Sequence, residues 1–146
     1  MALPISGGAE CLALRQCQPT AGAVRAQIVV APAMGVLQSY YQAFARWLAE
    51  QSYGVTTFDY RGHGLSLKGK QRDAKVDLLD WALDCQLVAA QLKQQFPDQP
   101  LLWIGHSVGS QLPGLASIPL PINGLLSVGS GSGYWRDNAA PTRRVV

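Results

Sequence analysis

No apolar run in the sequence approaches the roughly 20 residues that a membrane span requires. The opening MALPISGGAE has neither a basic region nor an apolar stretch long enough for a secretory signal. Cysteine is scarce: three residues, an odd count, with no CxxC pair. Cys11 and Cys17 fall six apart on one expected strand, roughly 20 Å at strand rise, too far to bond to each other. Cys85 falls on the apolar face of a helix. Reduced cysteines and no leader set the expectation of a cytoplasmic chain. Charge is also thin, at 14% of residues, and the net +3 comes from scattered positions. The densest group, Lys68, Lys70, Arg72 and Lys75, is interrupted by Asp73 and Asp77. It reads as a solvated loop and helix start, so no nucleic-acid partner is expected.

What remains is a globular composition, 48% hydrophobic, in 146 residues. A chain of that size buries roughly two thirds of its unfolded surface, enough for one core and one domain over residues 1–146. ECLALRQC (10–17) can form an early strand. QIVVA (27–31) is a continuous β-branched run ending at Pro32, the pattern of a strand buried on both faces. A helical pattern starts at Ser39, a suitable N-cap, with Tyr40, Phe44, Trp47 and Leu48 as its inward face and Gly54 past its end. VTTFDY (55–60) is the next strand and runs into the glycine-rich RGHGLSLKGK. Asp73 can cap a second helix reaching about Gln95, with Trp81, Cys85, Val88, Leu92 and Phe96 inward. FPDQP stops it. LLWI (101–104) is a third strand, Ser107 begins a helix limited by Pro113, and INGLLSVGS (122–130) offers a fourth central strand. Strands alternating with helices predict right-handed crossovers and a mainly parallel α/β sheet with helices on both faces.

Within this series, Gly105-His106-Ser107-Val108-Gly109 sits where a strand turns into a helix. A nucleophilic serine needs exposure, a base for its proton and donors for the developing oxyanion. A sharp strand-to-helix turn supplies the exposure, and its strained backbone requires small residues two positions either side. GxSxG alone is a weak signal; between a buried strand and a helix, after two βα units, it is strong.

Four segments, VVAPAMGVLQSYYQAFARWLAEQSYG, VTTFDYRGHGLS, LLWIGHSVGSQL and LLSVGSGSGYW, together resemble the first half of an α/β-hydrolase. The nearest likeness is to bacterial serine aminopeptidase-like and lysophospholipase-like hydrolases. The resemblance implies an α/β-hydrolase-type sheet without its C-terminal strands, and a serine hydrolase that cleaves a small ester or amide through an acyl-enzyme on Ser107. It puts one oxyanion donor on the N–H of Val108. Matching PAMG to the family's commoner HGxG puts the second on the N–H of Met34. No metal or organic cofactor is called for.

Other candidates have plainer readings. His106 adjoins the serine, but neighbouring side chains at such a turn point apart, so it is not expected to be the base. His63 in RGHG reads as a turn residue between glycines of positive φ. Asp59 and Arg61 read as anchors of that turn. Gly129, Gly131 and Gly133 imitate a phosphate loop, but Tyr134 stands where the fingerprint needs glycine. Trp47, Trp81 and Trp103 read as core, and Trp135 as facing substrate.

In α/β-hydrolases the acid and then the histidine follow the serine in the chain. After Ser107 there is one acid, Asp137, and no histidine. Three readings therefore stand: a serine hydrolase represented by its front half and inactive or weak as this chain, a non-catalytic remnant or binding module, and an acyltransferase on the same scaffold. INGLLSV is expected to leave a bare sheet edge through which chains self-associate.

Overall fold

A computed structural model of the chain describes residues 1–5 and 11–134. The strands are β1 (Ala2–Pro4), β2 (Cys11–Cys17), β3 (Ala26–Ala31), β4 (Tyr53–Phe58), β5 (Leu101–His106) and β6 (Gly124–Val128). The α-helices are α1 (Gln42–Glu50), α2 (Leu78–Gln95) and the short α3 (Val108–Gln111). The strands form one sheet in the order β1-β2-β4-β3-β5-β6. β3 pairs in parallel with β4 and β5, and β5 with β6, while β2 runs antiparallel to β4 and to β1. This is the mainly parallel α/β sheet expected.

β3 is buried along its whole length because both of its faces are covered. Alternate residues serve opposite cores, as the two-residue period of a strand dictates. Val29 and Ala31 join Phe58, Trp103 and the inward face of α2 (Trp81, Cys85, Val88, Leu92). Ile28 and Val30 join Val55 and the inward face of α1. Between them runs a buried polar network. Gln38 donates from its backbone N–H and its amide to the two oxygens of Asp59, at 2.8 and 2.9 Å, and accepts from Thr57 Oγ1 at 3.2 Å. Asp59 also accepts from the Leu65 N–H, and Ser66 Oγ donates to the Asp59 carbonyl. Asp59 is thus an anchor of the turn after β4, as read from the sequence.

Several sequence expectations are corrected. The inward face of α1 is Tyr41, Ala45, Leu48 and Ala49, one residue out of step with the face expected. Tyr40, Phe44 and Trp47 are exposed, and Phe44 stacks on Trp47. The cause is a 3₁₀ turn over Gln38–Tyr41 that leads into α1 and rotates the face, so that Tyr41 and not Ser39 occupies the N-cap. Helix α2 is capped by Asp77 rather than Asp73, in a reciprocal box with Asp80. β6 is an edge strand, not a central one, and among the described residues it pairs with β5 alone. Its residues are all exposed.

Candidate active site

The chain leaves β3, crosses to β4 on one side, then returns to lay β5 on the other. Loops leaving the carboxyl ends of β3 and β5 therefore diverge and open a crevice, the usual ligand position in such sheets. Pro32–Gly35 follows β3 and Ser107 follows β5, at the carboxyl ends of these neighbouring strands.

Ser107 follows β5 directly and precedes α3, with φ 51° and ψ −118°. A side chain is strained at that positive φ, and such strain persists only where the surroundings impose it. The surroundings here are backbone. A β-carbon on Gly105 would lie 2.5 Å from the carbonyl carbon and oxygen of Gly109 and from Ser110 Cα. One on Gly109 would lie 2.5 Å from the Ala31 oxygen and 2.9 Å from the Pro32 oxygen. Both glycines are therefore demanded by close approach: the first by the turn itself, the second by contact between the turn and the end of β3. Trp103 Nε1 donates to the Gly109 carbonyl at 2.9 Å, and Ser110 Oγ to the Gly105 carbonyl at 2.5 Å. The Ser107 N–H is taken by the Val128 carbonyl at 2.8 Å. The next N–H, that of Val108, opens α3 and has no intrahelical acceptor available to it.

After β3, Gly35 turns the loop at φ 73° and Met34 is exposed. The Ala33 N–H donates to Tyr41 Oη at 3.0 Å, and Tyr60 Oη donates to the Pro32 carbonyl at 3.1 Å. Burial pushes both phenols above their ordinary range, Tyr60 the further, so both remain protonated donors.

The two histidines are held elsewhere. His106 Nδ1 lies 2.8 Å from Tyr41 Oη, and its ring meets the Tyr41 ring edge-on. His63 packs its ring edge-on to Trp81, with Nδ1 3.4 Å from the Arg61 carbonyl, between Gly62 and Gly64, both at positive φ. Arg61 anchors this turn through a buried ion pair that the sequence did not reveal. Its backbone N–H and Nε donate to the two oxygens of Asp84 at 2.8 and 2.7 Å, and Nη1 reaches Asp80 at 3.2 Å. Nη2 lies 2.7 Å from Asp84 Oδ1, close enough to attract it but misaligned for a hydrogen bond. Burial raises the Asp84 carboxyl to about 6, although Arg61 pulls it down. Trp81 and Trp103 are core, but Trp47 is exposed, contrary to expectation. Asp137 and Trp135 lie outside the described residues.

Sheet order, crevice and strained serine together define an α/β-hydrolase fold of the serine type. Solved structures agree. A lipase in its open form superposes with a TM-score of 0.74 at 24% identity, over 86% of this chain and 42% of that one. A carboxyl esterase from Bacillus coagulans gives 0.71 at 20% identity, over 87% and 42%. A lidless serine hydrolase from Xanthomonas campestris gives 0.71 at 22% identity, over 92% and 63%. The chain thus spans about half the length of the structures it resembles. No curated protein matches it by sequence. The family described as serine aminopeptidase, S33 matches residues 22–119, and the chain belongs to that family.

Proposed function

We propose that the chain carries the nucleophile and oxyanion hole of a serine hydrolase that cleaves a small ester or amide through an acyl-enzyme. The observation that carries this reading is Ser107 itself, strained at φ 51° between two glycines that only close backbone contact explains. Ser107 Oγ attacks the carbonyl carbon, and the tetrahedral oxyanion accepts from the N–H groups of Val108 and Met34. Collapse expels the alcohol or amine and leaves the acyl group on the serine. Of the loop's amides, that of Ala33 is donated to Tyr41 and that of Val36 to the Ala33 carbonyl, and the likeness of PAMG to the family's HGxG selects Met34 from the two that are left.

Among the described residues neither histidine bonds to Ser107: His106 Nδ1 meets Tyr41 Oη, and His63 Nδ1 lies against the Arg61 carbonyl. The chain by itself is therefore expected to react slowly, because loss of a triad member leaves only roughly 10³–10⁴-fold catalysis over water. A fluorophosphonate probe tests this. Labelling is expected to be slow, confined to Ser107 and abolished in Ser107→Ala. A folded chain that takes no label would favour the second reading, a non-catalytic binding module, which the engaged histidines already support.

The proposed macromolecular partner is a second copy of the chain. Among the described residues β6 presents an unpaired edge, with Leu125, Leu126 and Val128 exposed. Residues 99–135 contain no Lys, Arg, Asp or Glu, so the charges that usually guard an edge are missing. Two such edges can pair about a two-fold axis without repulsion. Leu126→Lys is expected to weaken the association at least about tenfold, the equivalent of ~1.4 kcal/mol, read by sedimentation over a concentration series. A native chain that stays monomeric throughout would end this proposal.

A further inference from the structure

We infer that Tyr41 is a positioning residue for the oxyanion loop, tying it to the strand that carries the nucleophile through one chain of hydrogen bonds, Ala33 N–H to Tyr41 Oη to His106 Nδ1. The inference rests on the function proposed above and names the device that sets its geometry. An oxyanion hole assembled from two separate loops works only if their N–H groups keep a fixed spacing, because donors must sit within hydrogen-bond distance of one oxygen. Val108 is fixed by the turn. Met34 lies on a loop that is exposed at Met34 and Gly35.

The proton order along this chain follows from the donors. A backbone N–H can only donate, so Tyr41 Oη accepts from Ala33. The phenol proton is then left for His106 Nδ1, which accepts it, and the ring carries its own proton on Nε2. His106 belongs to β5 and directly precedes Ser107. The bridge therefore ends one residue before the nucleophile, and its other end is one residue before Met34. Tyr60 Oη, donating to the Pro32 carbonyl from the opposite face of the sheet, holds the same loop from the other side. The histidine beside the serine acquires a role in this arrangement: it accepts a bond that orients the oxyanion donor, and it is not the base.

Tyr41→Phe keeps the ring and its packing and removes only the oxygen. Three readouts on the whole chain separate positioning from mere stability. Amide exchange is expected to show Ala33 protected in the native chain, with protection falling at least about tenfold in the variant. Nitrogen NMR is expected to show His106 as the Nε2–H tautomer, with its Nδ1 signal shifted in the variant. The rate of fluorophosphonate labelling at saturating probe is expected to fall roughly tenfold or more, with probe affinity unchanged. His106→Gln, whose amide oxygen can accept from Tyr41, is expected to restore most of the rate lost in His106→Leu. Unchanged Ala33 exchange in Tyr41→Phe would overturn the inference, as would lost protection with a labelling rate within twofold of native. If Ser107 takes no label even in the native chain, the proposed function fails instead, and exchange and NMR still decide whether the bridge holds the loop.

Discussion

Arg61→Met is expected to lower stability at pH 8 by about 3–5 kcal/mol, the usual cost of removing one partner from a buried ion pair. Asp84 is fully buried on the inward side of α2, and among the described residues its two oxygens accept only from Arg61. Methionine roughly fills the space of the arginine stem but leaves the carboxylate stranded. The pH dependence identifies the cause. In the native chain burial already holds the Asp84 carboxyl at about 6 rather than 3.8, despite the opposing pull of Arg61. Without Arg61 that pull is gone and the carboxyl titrates higher still. A carboxyl raised by folding contributes stability that is complete below pH 4 and lost as pH rises through its folded value. The variant loses more of this contribution than the native chain, and it does so above pH 6. The gap between the two should therefore be widest at pH 8 and shrink towards pH 5, where Asp84 is mostly protonated in both. Urea titrations at pH 5 and pH 8 measure it. A gap that stays constant across this range would mean that the loss comes from packing and not from the stranded charge.

The sequence shows where the strands lie because β3 and β5 carry continuous apolar runs and β4 a β-branched one, Val55-Thr56-Thr57, closed by Phe58. It shows the face of α2 because Trp81, Cys85, Val88 and Leu92 keep one helical period over about three turns. It misplaces the face of α1 because Tyr40 and Tyr41 are adjacent and equally apolar. A 3₁₀ turn selects between them, and Tyr41 faces inward, where the Ala33 N–H and His106 both bond to its hydroxyl. The cap of α2 is misread because Asp73 and Asp77 are both good caps, and the box partner is Asp80 rather than the more usual glutamate. The Arg61–Asp84 pair joins residues 23 apart, which no local period reports. One signal was available: Asp84 sits beside Cys85 and three residues from Trp81, so a charge on that buried face required a cation across the crossover. The serine was legible because its turn constrains the residues on either side, whereas the tyrosine bridge leaves no such imprint on its neighbours.

That constraint on the neighbours of Ser107 leads to the second large effect. Gly109→Ala is expected to destabilise the chain by about 3 kcal/mol, the upper end for forcing an extra carbon into a packed interior. It is also expected to slow labelling of Ser107 by roughly 100-fold, since a shift on the order of 1 Å at a reacting group costs that much. The atoms that the new methyl would meet are the Ala31 carbonyl and the Pro32 oxygen, backbone at the end of β3 and the start of the loop that carries Met34. Neither can swing aside as a side chain would. Either α3 tilts away and moves Val108, or β3 gives at its end and moves Met34. Both routes spread the two oxyanion donors apart, so stability and reactivity should fall together. Gly114→Ala is the control, because a β-carbon there meets nothing within 4 Å. It should be neutral or slightly stabilising, as when alanine replaces an unconstrained glycine. If Gly109→Ala matched Gly114→Ala in urea midpoint and in labelling rate, the close approach of the serine turn to β3 would not be what fixes the site.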